Sequence, residues 1–163
     1  MKTIADFLTH YRRQRRWTRK LVAAIPEQHF DWAPAQSAFR CSDLVRHMMQ
    51  AEIFWRRLFT AATSGEQYDP FQFTGTASER YTVFRGRNLQ ISQSEKLGRS
   101  PAALLEQWER IQADTERELG AITPEQLAAV EVEHPMACLR LPLWEMLLAM
   151  VEHEVHHRGQ LSA

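Results

Sequence analysis

Cysteine, net charge and long apolar runs are all scarce in the sequence, and each shortage excludes a class of protein. Only two of the 163 residues are cysteines, Cys41 and Cys138, and no CxxC pair occurs. This scarcity argues against a disulfide framework and is typical of cytoplasmic proteins. No apolar run approaches the roughly 20 residues of a membrane span, and the first residues lack the apolar segment of a secretory signal. We therefore expect a cytoplasmic protein with no membrane partner.

The charges balance, because twenty basic and twenty acidic residues cancel at neutral pH. A chain without net charge has no general attraction to nucleic acid or to anionic membranes. One stretch is nevertheless strongly basic, and we interpret it as the solvated face of a helix because no DNA-binding motif accompanies it. We therefore expect no nucleic-acid partner. The basic residues of this stretch are Arg12, Arg13, Arg15, Arg16, Arg19 and Lys20.

Apolar residues recur at helical spacing in four long stretches, and no stretch shows a convincing strand pattern. The tract 65–99 lacks long periodicity but is rich in aromatic residues, which predicts a crossover that covers the bundle, with a short helix near 78–90. A length of 163 residues fits one domain with a sizeable core. The sequence thus predicts an all-α four-helix bundle as a single domain, 1–163. Its long helices are expected at 3–25, 42–63, 100–120 and 143–161.

Local signals mark two helix starts and one interruption of an apolar stripe. Ser100 followed by Pro101 is typical of an N-cap and a first helical position. Thr123 opens a capping box, which predicts a further short helix. Within the first helix, Gln14 and Arg15 interrupt the apolar stripe midway and leave room for an interior polar site.

A short internal repeat indicates how the helices pair. AIPEQ at 24–28 resembles AITPEQ at 121–126, and each copy follows a long helix and precedes a helix that carries histidine. Two helix pairs related by a rough two-fold axis would place the second and fourth helices side by side.

The last helix carries the candidate metal site. His153 and His157 are four residues apart, so they lie on one helix face and can share a metal ion, whereas His156 points about 60° to one side. A catalytic zinc ion usually takes three protein ligands. His47 is the only imidazole on the apolar face of the second helix, although a lone histidine there is more often a core residue. The other histidines, interpreted as surface or loop residues, are His10, His29 and His134.

The residues 153–157 also satisfy the pattern H-E-x-x-H, in which Glu154 would be the general base of a zinc metalloprotease. Such an enzyme normally takes its third ligand further along the chain, where only six residues follow His157. On the helical wheel Glu154 falls within the apolar arc rather than beside the histidines. We therefore expect Glu154 to pair with Arg158 one turn later, and we set the protease reading aside.

Two stretches of the chain resemble the DinB-like family. EHEVHHRGQL at 152–161 matches the family signature H-x-x-x-H-x-G-Q-L, and FDWAP at 30–34 with LVRH at 44–47 matches the region of the family's first histidine. The resemblance covers nearly the whole chain. It implies a four-helix bundle in up-down-down-up order, with a long crossover between helices two and three. It also implies a divalent metal ion bound by His47, His153 and His157.

The resemblance implies a function as well, because the family includes metal-dependent enzymes that add or use small thiols. We expect a metal-dependent transferase that acts on a small molecule with a low-molecular-weight thiol, using zinc or nickel, which imidazole suits. No catalytic side chain is predicted. A metal-dependent hydrolase and a non-catalytic metal-binding or interaction bundle stay open as alternatives. A homodimer is expected from the resemblance alone. Arg40 departs from the family, where a serine often caps helix two.

Overall fold

The computed structural model describes residues 3–35, 38–66, 68, 100–134 and 139–162. Within them the four long helices begin and end within two residues of the predicted bounds. A short 3-10 helix, Glu27–His29, follows the first long helix. The helices are α1 Ile4–Ala24, α2 Cys41–Ser64, α3 Pro101–Gly120, α4 Pro124–Ala129 and α5 Leu143–Leu161, and the strands are β1 Glu131–Glu133 and β2 Arg140–Pro142.

The helix starts follow the local signals in the sequence. The Ser100 hydroxyl accepts a hydrogen bond from the backbone N–H of Ala103 at the start of α3, and Thr123 forms the predicted capping box of α4. Arg40 occupies the N-cap of α2 and makes no capping hydrogen bond with its side chain. Gly65 ends α2 with a φ of 77°, a left-handed conformation that glycine adopts without the steric penalty of a Cβ.

Contacts between side chains fix the direction of each long helix. Arg12 pairs with Glu116 and Arg19 with Glu109, so α1 and α3 run antiparallel. Arg15 contacts Glu154 and Thr18 contacts Arg158, so α1 and α5 run parallel. Glu52 contacts Trp108 while Arg56 contacts Asp114, so α2 runs parallel to α3. The order is therefore up-down-down-up, as expected. α1 and α2 each pack against α3 and α5, which places α2 beside α5.

Two hydrophobic clusters form the core of the described bundle. One joins α1, α2 and α5 around Phe7, Trp55 and Met146, and the short elements 122–132 pack onto it. The other lies around Phe30, Val45 and Trp108, all nearly inaccessible to solvent. Burial of side chains of this size supplies most of the stabilisation of a domain. His47 lies next to the second cluster, between Val45 and Met48 in the sequence.

The prediction that the chain has no strand is wrong. β1 and β2 form an antiparallel pair in which Val132 faces Leu141. Val132 is buried and its neighbours Glu131 and Glu133 are exposed, so three residues alternate as a half-buried strand does, too few to stand out as periodicity. The predicted crossover 65–99, with its helix near 78–90, lies largely outside the described residues. None of the described helices is long and apolar enough to span a membrane.

Candidate metal centre

The structure brings the three predicted histidines together between α2 and α5. His47 Nε2 lies 3.2 Å from His153 Nε2, and His157 Nε2 lies 3.1 Å from the same atom. The candidate ligand atoms of all three residues lie within 4.8 Å of one another. His153 and His157 meet because they are one turn apart on α5, and His47 joins them because α2 packs antiparallel beside α5.

The surroundings of the cluster favour neutral imidazoles. His47 is 7% exposed, and burial followed by the charge of His157 lowers its pKa to about 4. Burial, together with the neighbouring histidines, lowers the pKa of His153 to about 3. Burial also lowers the pKa of His157, against the opposing effect of its hydrogen bond to Gln160. A neutral imidazole has a free lone pair, which is the form that ligates metals.

The outer nitrogens of the three rings have different partners. His157 Nδ1 lies 2.8 Å from the amide oxygen of Gln160. Because that oxygen accepts, Nδ1 carries the proton and Nε2 keeps its lone pair for the centre of the cluster. His47 stacks on Phe39 with ring centroids 5.6 Å apart. Its buried Nδ1 has no hydrogen-bond partner in the described part of the chain.

These residues fit a divalent metal ion. Three neutral nitrogen donors from two helices match the ligands of catalytic zinc sites, and imidazole suits nickel as well. Within residues 3–66, 100–134 and 139–162, apart from 36–37, no cysteine or carboxylate joins the three histidines as a fourth candidate ligand. Three protein ligands are the number found in catalytic zinc sites, which keep a coordination position for water or substrate.

A buried ion network lies beside the histidines. Arg15 Nη2 is 2.6 Å from Glu52 Oε2 and 2.8 Å from Glu154 Oε2, and all three side chains are at most 6% exposed. Glu52 also accepts hydrogen bonds from the Tyr11 hydroxyl, from Trp108 Nε1 at 2.8 Å and from the Thr115 hydroxyl at 2.8 Å. The Arg15 guanidinium lies over the Trp108 ring, 4.1 Å from its centroid. All four long helices thus contribute to one network.

The network corrects one prediction and supports another. Glu154 does not pair with Arg158. It binds Arg15, while Arg158 donates to the backbone oxygen and the side-chain amide oxygen of Gln14. Glu154 prefers Arg15 because it points inward, as its place in the apolar arc indicates. A buried carboxylate held by a guanidinium is not free to act as a general base, which removes the metalloprotease reading. The interior polar site expected near Gln14 and Arg15 is present.

Two residues near the cluster have roles that sequence reasoning missed. Glu52 lies four residues after Met48 and three before Trp55, so it falls on the buried stripe of α2, and a carboxylate on that stripe was a usable signal. Gln160 follows His157 by three residues. It belongs to the motif H-x-x-x-H-x-G-Q-L, but the motif alone does not indicate its hydrogen bond to His157. The remaining histidines are not among the three candidate ligands, although the ring of His156 packs edge-on against that of His157 with centroids 5.0 Å apart. His29 and His156 are exposed, His10 is partly exposed, and His134 packs against Trp55.

A groove between α1 and α3 is lined by five of the six basic residues of the first helix. It has a volume of about 340 Å³ and is lined by basic side chains together with Gln112 and Leu105. Arg12 and Arg19 are paired there with Glu116 and Glu109. The basic residues that line it are Arg12, Arg15, Arg16, Arg19 and Lys20.

An up-down-down-up bundle whose second and last helices bring three histidines together defines a class of helical proteins able to hold a metal ion in the bundle. The model of the DinB superfamily matches residues 10–161 of the chain. The chain therefore belongs to the DinB superfamily. Among curated proteins, no sequence matches it significantly.

Several solved structures share the fold at low sequence identity. A DinB-like protein from Bacillus cereus is 15% identical, with a TM-score of 0.67 over 99% of this chain and 89% of that one. The mycothiol-dependent maleylpyruvate isomerase is 17% identical, with a TM-score of 0.75 over 99% of this chain and 61% of that one. The colibactin self-resistance protein ClbS, solved with double-stranded DNA, is 8% identical, with a TM-score of 0.75 over 99% and 95%.

These similarities concern the fold and the expectation that the protein has no nucleic-acid partner. At such identities they show a common architecture and do not transfer an activity. The expectation of no nucleic-acid partner was based on net charge and on the lack of a motif. The structure of ClbS with duplex DNA conflicts with that expectation, because a bundle of similar fold is found there with nucleic acid.

Proposed function

We propose that the protein is a metal-dependent transferase that acts on a small molecule with a low-molecular-weight thiol. The observation that carries the proposal is the convergence of three neutral imidazole nitrogens with no fourth candidate ligand among the described residues. An ion held in this way keeps a coordination position for a reactant. The bound metal would lower the pKa of a thiol in that position, so that the thiolate is available near neutral pH.

The chain's own residues would perform distinct tasks at this site. His47, His153 and His157 would hold the ion, and their low pKa values keep them available as ligands at neutral pH. Gln160 would hold the ring of His157 in the tautomer that directs Nε2 to the ion. Phe39 stacks on His47 and would limit the rotation of that ring.

The choice of a thiol is supported by a similar structure rather than by a contact in this one. The mycothiol-dependent isomerase shares the fold, and its name states that it uses a small thiol. The chain spans only 61% of that enzyme, so its isomerase reaction is not transferred here. A homodimer and the identity of the ion, zinc or nickel, are parts of the same proposal.

Incubation of metal-loaded protein with low-molecular-weight thiols and the electrophile monochlorobimane tests the proposal. We expect conjugation faster than the uncatalysed rate, and we expect His47→Ala to abolish it. His29→Ala is the matched control because His29 is exposed and lies outside the cluster. Hydrolysis of a model ester or amide by protein that conjugates no thiol would favour the hydrolase. Metal binding with neither activity would favour the non-catalytic bundle.

The basic groove favours a second candidate function, the binding of duplex DNA. Arg16 and Lys20 line this groove and form no ion pair with a carboxylate among the described residues, and cationic side chains of this kind bind phosphates. Fluorescence anisotropy with a short duplex at low and at moderate salt tests it. We expect weak binding that falls with salt and is lost in Arg16→Glu. Binding that Arg16→Glu leaves unchanged would contradict the groove as the contact surface.

A further inference from the structure

A small cavity separates the histidine cluster from the buried ion network. Its volume, about 10 Å³, is roughly the minimum that one buried water molecule needs. Four polar residues line it, and the rest of its wall consists of apolar side chains from α2 and α5. The polar residues are Arg15, Glu52, His153 and Glu154.

The hydrogen bonds of these residues show which of them need a further partner. Each carboxylate oxygen of Glu52 has two polar partners. Oε1 accepts from the hydroxyls of Tyr11 and Thr115, and Oε2 accepts from Trp108 and forms the ion pair with Arg15. A carboxylate has about four acceptor positions, so Glu52 is saturated. Glu154 Oε1 receives one donor, the Nε of Arg15 at 3.2 Å.

Arg15 supplies the strongest indication of a bound molecule. Its side chain is 3% exposed, and its Nη1 is buried with no hydrogen-bond partner among the described residues. A buried guanidinium nitrogen without a partner is costly, because its desolvation is not offset. Arg15 lines the cavity, so a molecule within hydrogen-bond distance of Nη1 there would remove that cost.

We propose that the cavity holds one water molecule, which links Arg15 and Glu154 to His153. Arg15 and Glu154 are then positioning residues for His153, a candidate metal ligand. The water accepts from Arg15 Nη1 and from Nδ1–H of His153, and it donates to Glu154. Three partners are the usual number for a buried water. The role of His153 in this inference rests on the proposed metal site.

The water would fix the orientation of His153. A proton held on Nδ1 leaves the lone pair on Nε2, the atom that faces both His47 and His157. Outer partners of this kind raise the affinity of histidine sites for metal, commonly by about 10- to 100-fold. His157 obtains the same orientation from Gln160, so two of the three ligands would be fixed from outside the cluster.

Glu154→Gln tests the inference and is expected to fold, because Arg15 keeps Glu52 as its ion-pair partner. Competition with a chromophoric chelator should show zinc binding weakened about tenfold. Glu116→Gln, which alters a surface ion pair on α3, should leave zinc binding unchanged. Ala51→Val adds volume to the cavity wall while keeping every charge, and it should weaken zinc binding in the same direction.

A crystal structure of the metal-free wild-type protein supplies a readout that does not depend on metal. We expect density for one water molecule within hydrogen-bond distance of Arg15 Nη1. A dry cavity, or equal zinc affinities for Glu154→Gln and the wild type, would overturn the inference. A wild-type protein that shows the water but binds no metal would overturn the proposed function and leave the hydrated network standing.

Discussion

Two buried polar clusters lie side by side in this bundle, and they differ in charge: one is neutral and the other is ionised. The histidine cluster stays neutral, since burial lowers the pKa of His47 to about 4 and that of His153 to about 3. The ion network stays charged. Burial alone would lower the pKa of Arg15, but the carboxylates of Glu52 and Glu154 outweigh it and raise that pKa above its usual value.

The difference separates a cluster that pairs its own charges from one that could hold a metal ion. In the network nearly every donor and acceptor has a protein partner, and loss of one partner would leave a charge uncompensated. In the histidine cluster His153 Nε2 lies 3.2 Å from His47 Nε2 and 3.1 Å from His157 Nε2. With neutral rings there are too few protons for all of these nitrogens to form hydrogen bonds with one another. The network therefore pairs its charges within the protein, whereas the lone pairs of the histidine cluster are available to a metal ion.

The largest expected effect on stability comes from removing the cation of the charged cluster. Arg15→Ala leaves two buried carboxylates without their cation, and loss of one partner of a buried pair typically costs about 3–5 kcal/mol. The free energy of unfolding, measured by urea denaturation, should fall by that amount. A loss below about 1 kcal/mol would show that water reaches the two carboxylates and that the network is not a buried one.

Binding of zinc to the neutral cluster should change the stability of the protein almost as much as Arg15→Ala does, in the opposite direction. At a zinc concentration one hundred times the dissociation constant, binding stabilises the folded protein by about 2.7 kcal/mol, or roughly 5–10 °C in melting temperature. Thermal melts with zinc and with a chelator measure this. His153→Ala should have the same melting temperature with zinc and with chelator. The exposed control His29→Ala should show the same zinc-dependent rise in melting temperature as the wild type. An equal shift in His153→Ala would place the zinc elsewhere.

The third expected effect is on how the stability of the metal-free protein depends on pH, to which the histidine cluster should contribute. The pKa of His47 falls from 6.5 in the unfolded chain to about 4 in the fold, so folding favours its neutral form. This stabilisation is fully present above pH 6.5 and is lost as pH falls toward 4. At about 1.4 kcal/mol per pH unit, His47 alone should cost about 2 kcal/mol between pH 6.5 and 5. His47→Gln should reduce the slope, and an unchanged slope would contradict the assignment.

The smallest expected effect is that of Arg12→Ala, which serves as the exposed comparison for Arg15→Ala. Arg12 lies on the same helix as Arg15 and pairs with Glu116, but its side chain is 52% exposed. Exposed ion pairs contribute roughly 0.2–1 kcal/mol, so Arg12→Ala should barely change the midpoint of urea denaturation, and less so in high salt. A cost close to that of Arg15→Ala would show that burial is not what separates the two arginines.

The sequence predicts the histidine cluster better than the ion network, for a physical reason. His153 and His157 are related by helical spacing, and His47 is the only imidazole on the apolar face of its helix, so the pattern of each helix points to them. The partners of Glu52 lie on two other helices, α1 and α3, and its bond to Tyr11 joins residues 41 positions apart. No local spacing encodes such a contact. The β1–β2 pair was missed because three residues do not establish a period.

The packing of each long helix has a consequence for how the chain folds. Consecutive helices in many bundles form hairpins that can assemble early from local contacts. Here α1 packs against α3 and α5, and α2 packs against the same two, so the long helices of the first half of the chain pack mainly on those of the second half. Arg15 reaches Glu154 across 139 positions. Loop-closure entropy opposes such distant contacts, so folding should be slower than in an up-and-down bundle of equal length.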